Sequence, residues 1–371
     1  MNKILKLFSS LLLFAGICPA LQAEPVETYF PLSRGINMSH WLSQVNENIP
    51  DRSTYVTERD LQFLRAAGFD HVRLPIDEVE LWDEEGNQIE EAWQYMHNFL
   101  RWSRKNDLRV ILDLHTVLSH HFNAVNMGEV NTLFNDPREQ EKFLNLWEQI
   151  MDAVGHHPNE FLAYEMLNEA VAEDDEDWNL LLNRAIVRIR DREPYRVLIA
   201  GSNWWQHADR VPNLRLPKGD PNIIISFHFY SPFLFTHYRS SWTAMQAYQG
   251  FVQYPGKTIP SIHLEGMNYP ESFVHMWEAH NRYYDIHSMY AEMVPAVRFA
   301  EKLGLRLYCG EFGAMKTVDR AQMLQWYRDV VTVFNKLGIP YTAWDYQGTF
   351  GIRDELTGEP DHEMIDILLG R

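Results

Sequence analysis

The sequence of 371 residues predicts an α/β protein folded as a (β/α)8 TIM barrel, with a small subdomain inserted after strand 6. Eight short segments are almost continuously apolar, which indicates strands buried on both faces of a parallel sheet. Amphipathic helical patterns lie between them, and this alternation is typical of an α/β barrel. Neither repeats nor a low-complexity linker divides the chain, so we predict a single domain.

The strand predictions rest on apolar runs that end in polar or titratable residues. The carboxyl ends of barrel strands meet at one mouth, where active sites lie, so this pattern already indicates function. In chain order, the predicted strands are 33–39, 71–76, 109–115, 162–169, 196–203, 223–230, 305–313 and 341–347.

The helix predictions rest on amphipathic periodicity and on end signals. Thr57 is an N-cap followed by acidic residues, and Gly68 is a C-terminal stop signal. Amphipathic patterns of the same kind predict helices in four later segments, which are 136–155, 176–190, 293–304 and 319–338. The segment of about 231–285, between strand 6 and the next helix, is unusually long and rich in aromatic residues. We interpret it as the inserted subdomain, at one edge of the barrel mouth.

Residues 1–23 have the pattern of a secretory signal peptide, cut after Ala23. The apolar run at 7–17 is shorter than the roughly 20 residues that a membrane-spanning helix needs. We therefore predict an exported protein, periplasmic or extracellular, whose barrel domain is 24–371 and which has no membrane span. Cys309 is the one cysteine outside the signal peptide, which excludes an intrachain disulfide.

The formal net charge of −18 makes nucleic acid an unsuitable partner, because such a surface repels phosphate. Aromatic residues make up 13% of the chain and include 12 tryptophans, which suits stacking on neutral sugar rings. We expect a monomer.

Two carboxylates at strand ends carry the chemical prediction. Glu169 ends strand 4 and Glu311 ends strand 7. Two carboxyl groups flanking a glycosidic bond can hydrolyse it if one stays ionised and the other protonated. We expect Arg73 and a tyrosine hydroxyl to keep Glu311 anionic, and a drier environment to raise the pKa of Glu169. Glu165, deeper in strand 4, is interpreted as a structural acid paired with an arginine.

The ordered set of strand-end motifs resembles glycoside hydrolase family 5. The motifs are HVRLP at strand 2, DLH at strand 3, NE at strand 4, HFY at strand 6, EFG at strand 7 and a tryptophan on strand 8. Longer stretches such as GINMSHWLSQ and FHFYSPFLFTHYRSSW are similar to the compact bacterial endoglucanase C group, which also has an insertion after strand 6. The resemblance covers about residues 33–350.

The resemblance implies that Glu311 is the nucleophile and Glu169 the acid/base. It also implies that Arg73, His228 and Tyr230 orient the carboxylates. Asn168 would hydrogen-bond the sugar 2-hydroxyl, and His115 would line the same subsite. Trp344 would stack against the bound sugar ring. Ala170 departs from the proline common in relatives. Strand alternation would place Asn168 and Glu169 on opposite faces, so we expect a bulge at the end of strand 4.

Other aromatic residues near the predicted mouth are further substrate-binding candidates. Trp41 follows strand 1, and Trp242 lies in the insertion. Of Trp204 and Trp205, one is expected to stack on sugar and the other to pack, with Trp204 the chosen candidate. The adjacent histidine pairs lack ligands at metal spacing, so we expect no metal and no cofactor.

The sequence thus predicts a retaining endo-β-1,4-glucanase that acts on cellulose-type or mixed-linkage β-glucan polysaccharide or oligosaccharide. An exo-acting β-glucosidase, a β-1,3-glucanase or a β-mannanase on the same scaffold remain alternatives. A sugar-binding protein without activity is a further alternative, which the presence of both Glu169 and Glu311 disfavours.

Overall fold

The protein is built around a closed barrel of eight parallel strands, which confirms the predicted (β/α)8 fold. Each strand pairs with its neighbours in chain order, and the last strand pairs with the first. The computed structural model describes residues 26–45, 51–124, 128–260, 269–354 and 357–371. The strands are β1 Arg34–Asn37, β2 His71–Asp77, β3 Arg109–Thr116, β4 Leu162–Glu165, β5 Val197–Gly201, β6 Ile223–Phe229, β7 Arg306–Phe312 and β8 Tyr341–Ala343.

Several strands are shorter than the sequence predicts, and β4 and β8 differ most, by four residues each. Regular pairing ends at Glu165 in β4 and at Ala343 in β8, whereas the apolar pattern continues to residues 169 and 347. Most residues beyond these ends are still buried, and some of their amides bond to neighbouring strands in an irregular pattern, such as Trp344 to Phe312 of β7. The apolar pattern records burial and therefore overestimates strand length where a strand enters the site.

Helices cover the outside of the barrel, and most of their ends follow the predicted signals, but the helix predicted over 293–304 begins earlier, at Ile286, where Asp285 is the N-cap. Thr57 and Asp60 form a capping box, and Gly68 ends the same helix at a φ of +121°. After β5 the place of a helix is taken by a 3-10 turn, Ala208–Asn213. The helices are α1 Glu58–Ala67, α2 Glu90–Lys105, α3 Pro137–Val154, α4 Asp175–Arg190, α5 Glu271–His280, α6 Ile286–Leu303, α7 Arg320–Leu337 and α8 His362–Leu368, with single turns at Arg52–Tyr55, Glu78–Leu81, Asn203–Gln206, Phe233–Thr236 and Ala244–Ala247.

The interior of the barrel changes from apolar to polar along the strands. On β3, the inward positions carry Ile111, then Asp113, then His115, and all three are buried. A small apolar cluster that includes Phe30, Ile111 and Tyr308 fills the amino-terminal end of the barrel. The larger apolar cluster lies between strands and helices. The polar layer therefore rests on a packed floor and opens at the carboxyl ends of the strands.

The long connection between β6 and α6 contains α5 and a two-stranded ribbon, Gly256–Lys257 paired with Tyr283–Tyr284. It has buried aromatic residues of its own, including Trp277. Tyr254 joins it to the barrel, because its hydroxyl donates a 2.8 Å hydrogen bond to Asp329 on α7. These are the described parts of the segment that we expected as an inserted subdomain.

The predicted signal peptide, 1–23, lies outside the described residues. Within the described part of the chain, none of the helices has the length and apolar character needed to cross a membrane.

Trp41 belongs to the core, so the prediction that it binds substrate is wrong. Its side chain has no exposed surface. The indole N–H donates a 2.9 Å hydrogen bond to the carbonyl of Arg52, and the ring packs on Tyr95 and Phe99 of α2. The apolar loop after β1 turns this ring outward against the helix layer instead of toward the mouth.

Replacing Trp41 by alanine is expected to lower the free energy of unfolding by about 3–5 kcal/mol, because a large buried ring is lost and the surrounding side chains do not fill the cavity. Trp242→Ala is the control, since Trp242 is 37% exposed and its loss leaves no sealed cavity, so it should cost less, about 1–2 kcal/mol. Urea unfolding of both variants measures the difference. Equal costs would contradict the core assignment of Trp41.

Candidate active site

The carboxyl ends of the strands bring the predicted polar residues to one place. Parallel strands in a closed barrel all end at the same mouth, so residues far apart in sequence become neighbours. The residues that meet there are Asn37 after β1, Arg73 on β2, Asp113 and His115 on β3, Glu165, Asn168 and Glu169 on and after β4, His228 and Tyr230 on and after β6, Glu311 on β7 and Trp344 after β8.

Arg73 lies at the centre of this cluster, bonds several of its members and is completely buried. Its Nε donates to Glu165 Oε2 at 2.7 Å, and its Nη1 donates to Glu311 Oε1 at 2.7 Å. Nη2 donates to Asn168 Oδ1 at 2.8 Å and lies 3.1 Å from Asp113 Oδ2. Burial by itself would lower the pKa of Arg73, but the charges of the surrounding carboxylates together outweigh burial and raise this pKa, so the guanidinium stays charged. The expected arginine partner of Glu165 is therefore Arg73.

Glu311 has partners that stabilise its anionic form. Besides Arg73, the Tyr230 hydroxyl donates a 2.9 Å hydrogen bond to Glu311 Oε2. Burial raises the pKa of Glu311, and the charge of Arg73 and the bond from Tyr230 oppose that increase. This carboxyl group is therefore the more readily ionised of the two.

Glu169 lies close to Glu311 in a different environment. Nδ1 of His228 is 2.8 Å from Glu169 Oε1, and the same atom is 3.5 Å from Glu311 Oε2. Burial lowers the pKa of His228 well below its usual value, which keeps the ring neutral. Among the described residues, no arginine or lysine pairs with Glu169. Burial and the charge of Glu311 raise the pKa of Glu169 well above its usual value, so it holds the proton of the pair.

The end of β4 is distorted, as the sequence argument requires. The amide of Met166 bonds to Ile199 of β5, whereas the amide of Asn168 bonds to Leu114 of β3. In a regular strand both amides would point to the same neighbour, so the ladder slips between them. Glu169 then adopts a φ of +44°. This irregular backbone lets Asn168 and Glu169 both face the site.

His115 and Trp344 form one wall of the site. Their rings stack with centroids 5.7 Å apart and an angle of 7° between the planes. Asp113 Oδ2 lies 2.7 Å from Nδ1 of His115, and burial lowers the pKa of His115 to about 4, so the ring is neutral. Trp344 also packs with Phe350, against which Tyr230 lies.

Trp204 and Trp205 lie in the single turn after β5, and both are half-buried. The indole N–H of Trp205 donates a 2.8 Å hydrogen bond to the carbonyl of Phe122, whose ring contacts His115 edge-on. Trp204 instead lies against the guanidinium of Arg210. The structure thus ties Trp205, rather than Trp204, to the loop beside His115.

Sequence reasoning missed three contributors to the site. Asp113 could have been found, because it shares the inward face of β3 with His115. Asn37 donates from its amide to the carbonyls of Gly310 and Ala343 and accepts from Arg73. Gln206 accepts a 2.9 Å hydrogen bond from the amide of Glu169. Nothing in the sequence marks Asn37 or Gln206 as different from other amide side chains.

Glu169, His228 and Glu311 could hold a metal ion by distance alone, because their ligand atoms lie within 4.8 Å of one another. Arg73 already bonds Glu311, so a cation bound in this cluster would be repelled by the guanidinium at close range. The arrangement suits proton transfer between two carboxyl groups better than metal binding, so the absence of a metal stays a prediction.

Comparison with known proteins agrees with this geometry. Residues 30–349 match the model of the cellulase family, glycosyl hydrolase family 5. Endoglucanase C of Acetivibrio thermocellus is 32% identical over 342 residues, which are 91% of this chain and 98% of that protein. Cellodextrinase A of Ruminococcus flavefaciens is 32% identical over 82% of this chain and 83% of its own length.

Among solved structures, endoglucanase Cel5A from the hyperthermophilic Thermotoga maritima superposes with a TM-score of 0.71. It shares 25% identity, and the match covers 91% of this chain and 96% of that chain. The family model matches most of the chain, and a relative is 32% identical over nearly its whole length. Both findings agree with a barrel that has two facing glutamates. The chain belongs to glycosyl hydrolase family 5.

Proposed function

We propose that the protein is a retaining endo-β-1,4-glucanase, with Glu311 as the nucleophile and Glu169 as the acid/base. The observation that carries this proposal is the unequal environment of two neighbouring carboxyl groups: Arg73 and Tyr230 bond Glu311, whereas Glu169 faces a neutral histidine. Their closest ligand atoms are within 4.8 Å. This fits the carboxyl separation of about 5–5.5 Å in retaining enzymes better than about 6.5–9.5 Å in inverting ones.

The first step forms a covalent glycosyl–enzyme intermediate. An oxygen of Glu311 attacks the anomeric carbon while the glycosidic bond breaks, and the proton of Glu169 passes to the leaving oxygen. In the second step, ionised Glu169 takes a proton from water as the water oxygen attacks the same carbon. The bond to Glu311 breaks, and both carboxyl groups return to their starting states.

The remaining residues hold the carboxyl groups and the sugar. Arg73 donates to Oδ1 of Asn168, which leaves the Nδ2 group of Asn168 as the donor for the sugar 2-hydroxyl. Trp344, stacked on His115 and only 6% exposed, offers an apolar edge to the bound ring. Trp242 is exposed and contacts His237 beside Tyr230, so the long β6–α6 connection supplies a second aromatic surface.

The substrate assignment draws on the relatives. The relatives that are named endoglucanases support the assignment of attack on internal bonds of a β-glucan chain. The relative named cellodextrinase and the connection beside Tyr230 support a second candidate, an exo-acting enzyme on short oligosaccharides. A mannan or β-1,3-linked substrate is a further outcome that product analysis distinguishes. The predicted signal peptide supports a periplasmic or extracellular location.

Product analysis on cellopentaose and barley β-glucan tests the proposal. Wild type is expected to lower the viscosity of the glucan rapidly and to release mixed oligosaccharides. Glu311→Gln keeps the shape but removes the nucleophile, so the rate should fall by about 10⁴-fold or more. Glu160→Gln, at an exposed glutamate before β4, is the control and should retain full activity. Release of glucose alone from the start would instead establish the exo candidate, and inactivity on both glucans would move the substrate to another linkage.

The pH profile of kcat/KM is expected to be bell-shaped, because Glu311 must be ionised and Glu169 protonated. Activity is lost at low pH as Glu311 takes up a proton, and at high pH as Glu169 releases one from its raised pKa. On cellopentaose, whose cleavage needs the acid, Glu169→Gln should react far more slowly than wild type and should lack the alkaline limb.

Tyr230→Phe is the matched variant for the acidic limb. Loss of the hydrogen bond to Glu311 destabilises the anion, so the acidic limb should move to higher pH while the alkaline limb stays in place. For the Glu169→Gln variant, an alkaline limb that persists unchanged would mean that a group other than Glu169 titrates there.

A further inference from the structure

The single turn Asn203–Gln206, between β5 and the 3-10 turn, has an unusual backbone. Three successive residues that are not glycine, Trp204, Trp205 and Gln206, have φ values of +55°, +57° and +52°. Each left-handed residue of this kind costs about 1–2 kcal/mol. Such conformations persist where surrounding contacts determine them, and they concentrate at functional sites. The contacts of this turn therefore indicate what it is for.

The side chain of Gln206 is completely buried beneath the site. Its Oε1 accepts the amide N–H of Glu169 at 2.9 Å, and its Nε2 donates to Glu165 Oε1 at 3.4 Å. The amide group lies directly over Gly201, where a Cβ atom would come within 2.2 Å of Nε2. Gln206 thus joins the backbone of Glu169 to Glu165, which is itself held by Arg73.

The rest of the turn holds the chain after Glu169. The side-chain amide of Asn203 accepts from the N–H of Ala172 at 2.8 Å and donates to its carbonyl at 3.1 Å. The amide of Trp205 donates to the carbonyl of Ala170 at 3.3 Å. The irregular backbone from 169 to 172 therefore rests on the turn after β5, because strand pairing has already ended at Glu165.

We propose that Gln206 is a positioning residue for Glu169, and that the left-handed turn exists to place its amide group under that carboxyl group. Glu169 itself has a φ of +44°, and in this conformation its amide points at Gln206. Without the acceptor, the buried N–H would be unpaired, and the backbone would relax toward another conformation. The carboxyl group would then move away from His228 and from the leaving oxygen. This inference rests on the proposed acid/base role of Glu169.

The test compares two substrates that differ in their need for an acid. Cleavage within cellopentaose requires protonation of the leaving oxygen, whereas dinitrophenyl cellobioside releases a stable anion without it. For Gln206→Met, kcat/KM on cellopentaose should fall by about 10²-fold, the effect of a displacement of about 1 Å. On dinitrophenyl cellobioside, kcat/KM should change by less than about threefold, because kcat/KM reports the first chemical step and Glu311 is untouched.

Asn203→Ala is the matched control, since Asn203 lies on the same turn but bonds Ala172 instead of Glu169. It should lower both kcat/KM values by a similar, small factor. Gly201→Ala is a second route that keeps Gln206 but displaces its amide group, and it should reproduce the selective loss on cellopentaose even if Gln206→Met folds poorly.

A selective loss on cellopentaose in Gln206→Met or Gly201→Ala supports the proposal. Equal losses on both substrates, or unchanged activity on cellopentaose, would overturn it and leave Gln206 a structural residue. Wild type that cleaves neither cellopentaose nor dinitrophenyl cellobioside would overturn the proposed glucanase function itself, which is a separate failure.

Discussion

The site depends on one buried cation, the guanidinium of Arg73. It contacts three carboxylates, Asp113, Glu165 and Glu311, in a region with almost no solvent. One positive charge cannot balance three buried negative charges, and burial raises the pKa of Asp113 to about 7. Protons must therefore be shared within the cluster. The planar fork of arginine is suited to this task, because it directs donors to several acceptors at once.

This charge arrangement makes two similar glutamates chemically different. Glu311 lies within reach of Arg73, and Glu169 lies beside His228, which burial keeps neutral. The difference comes from neighbours and not from the residues themselves, since the two side chains are identical. A cluster with more acids than bases thus keeps one carboxyl group ionised and leaves a proton on the other, which is the state that glycoside hydrolysis needs at its start.

The barrel provides the rigidity that this arrangement needs. An apolar floor around Phe30 and Tyr308 excludes water from below, and the polar layer forms only where the strands approach the mouth. The site departs from regular strand geometry at β4, where a slipped ladder turns both Asn168 and Glu169 toward the substrate side. A neighbouring turn, Asn203–Gln206, then takes over the hydrogen bonds that the strand has given up.

The sequence by itself determined the barrel and the chemical pair, because apolar runs record burial and because Glu169 and Glu311 each end such a run. It also indicated the slip in β4, since Asn168 and Glu169 cannot otherwise share a face. Only the tertiary structure decided that Trp41 faces the helices, that Trp205 rather than Trp204 reaches the β3 loop, and that Gln206 supports Glu169. These outcomes depend on loop backbone angles and on contacts between distant segments, to which local periodicity is insensitive.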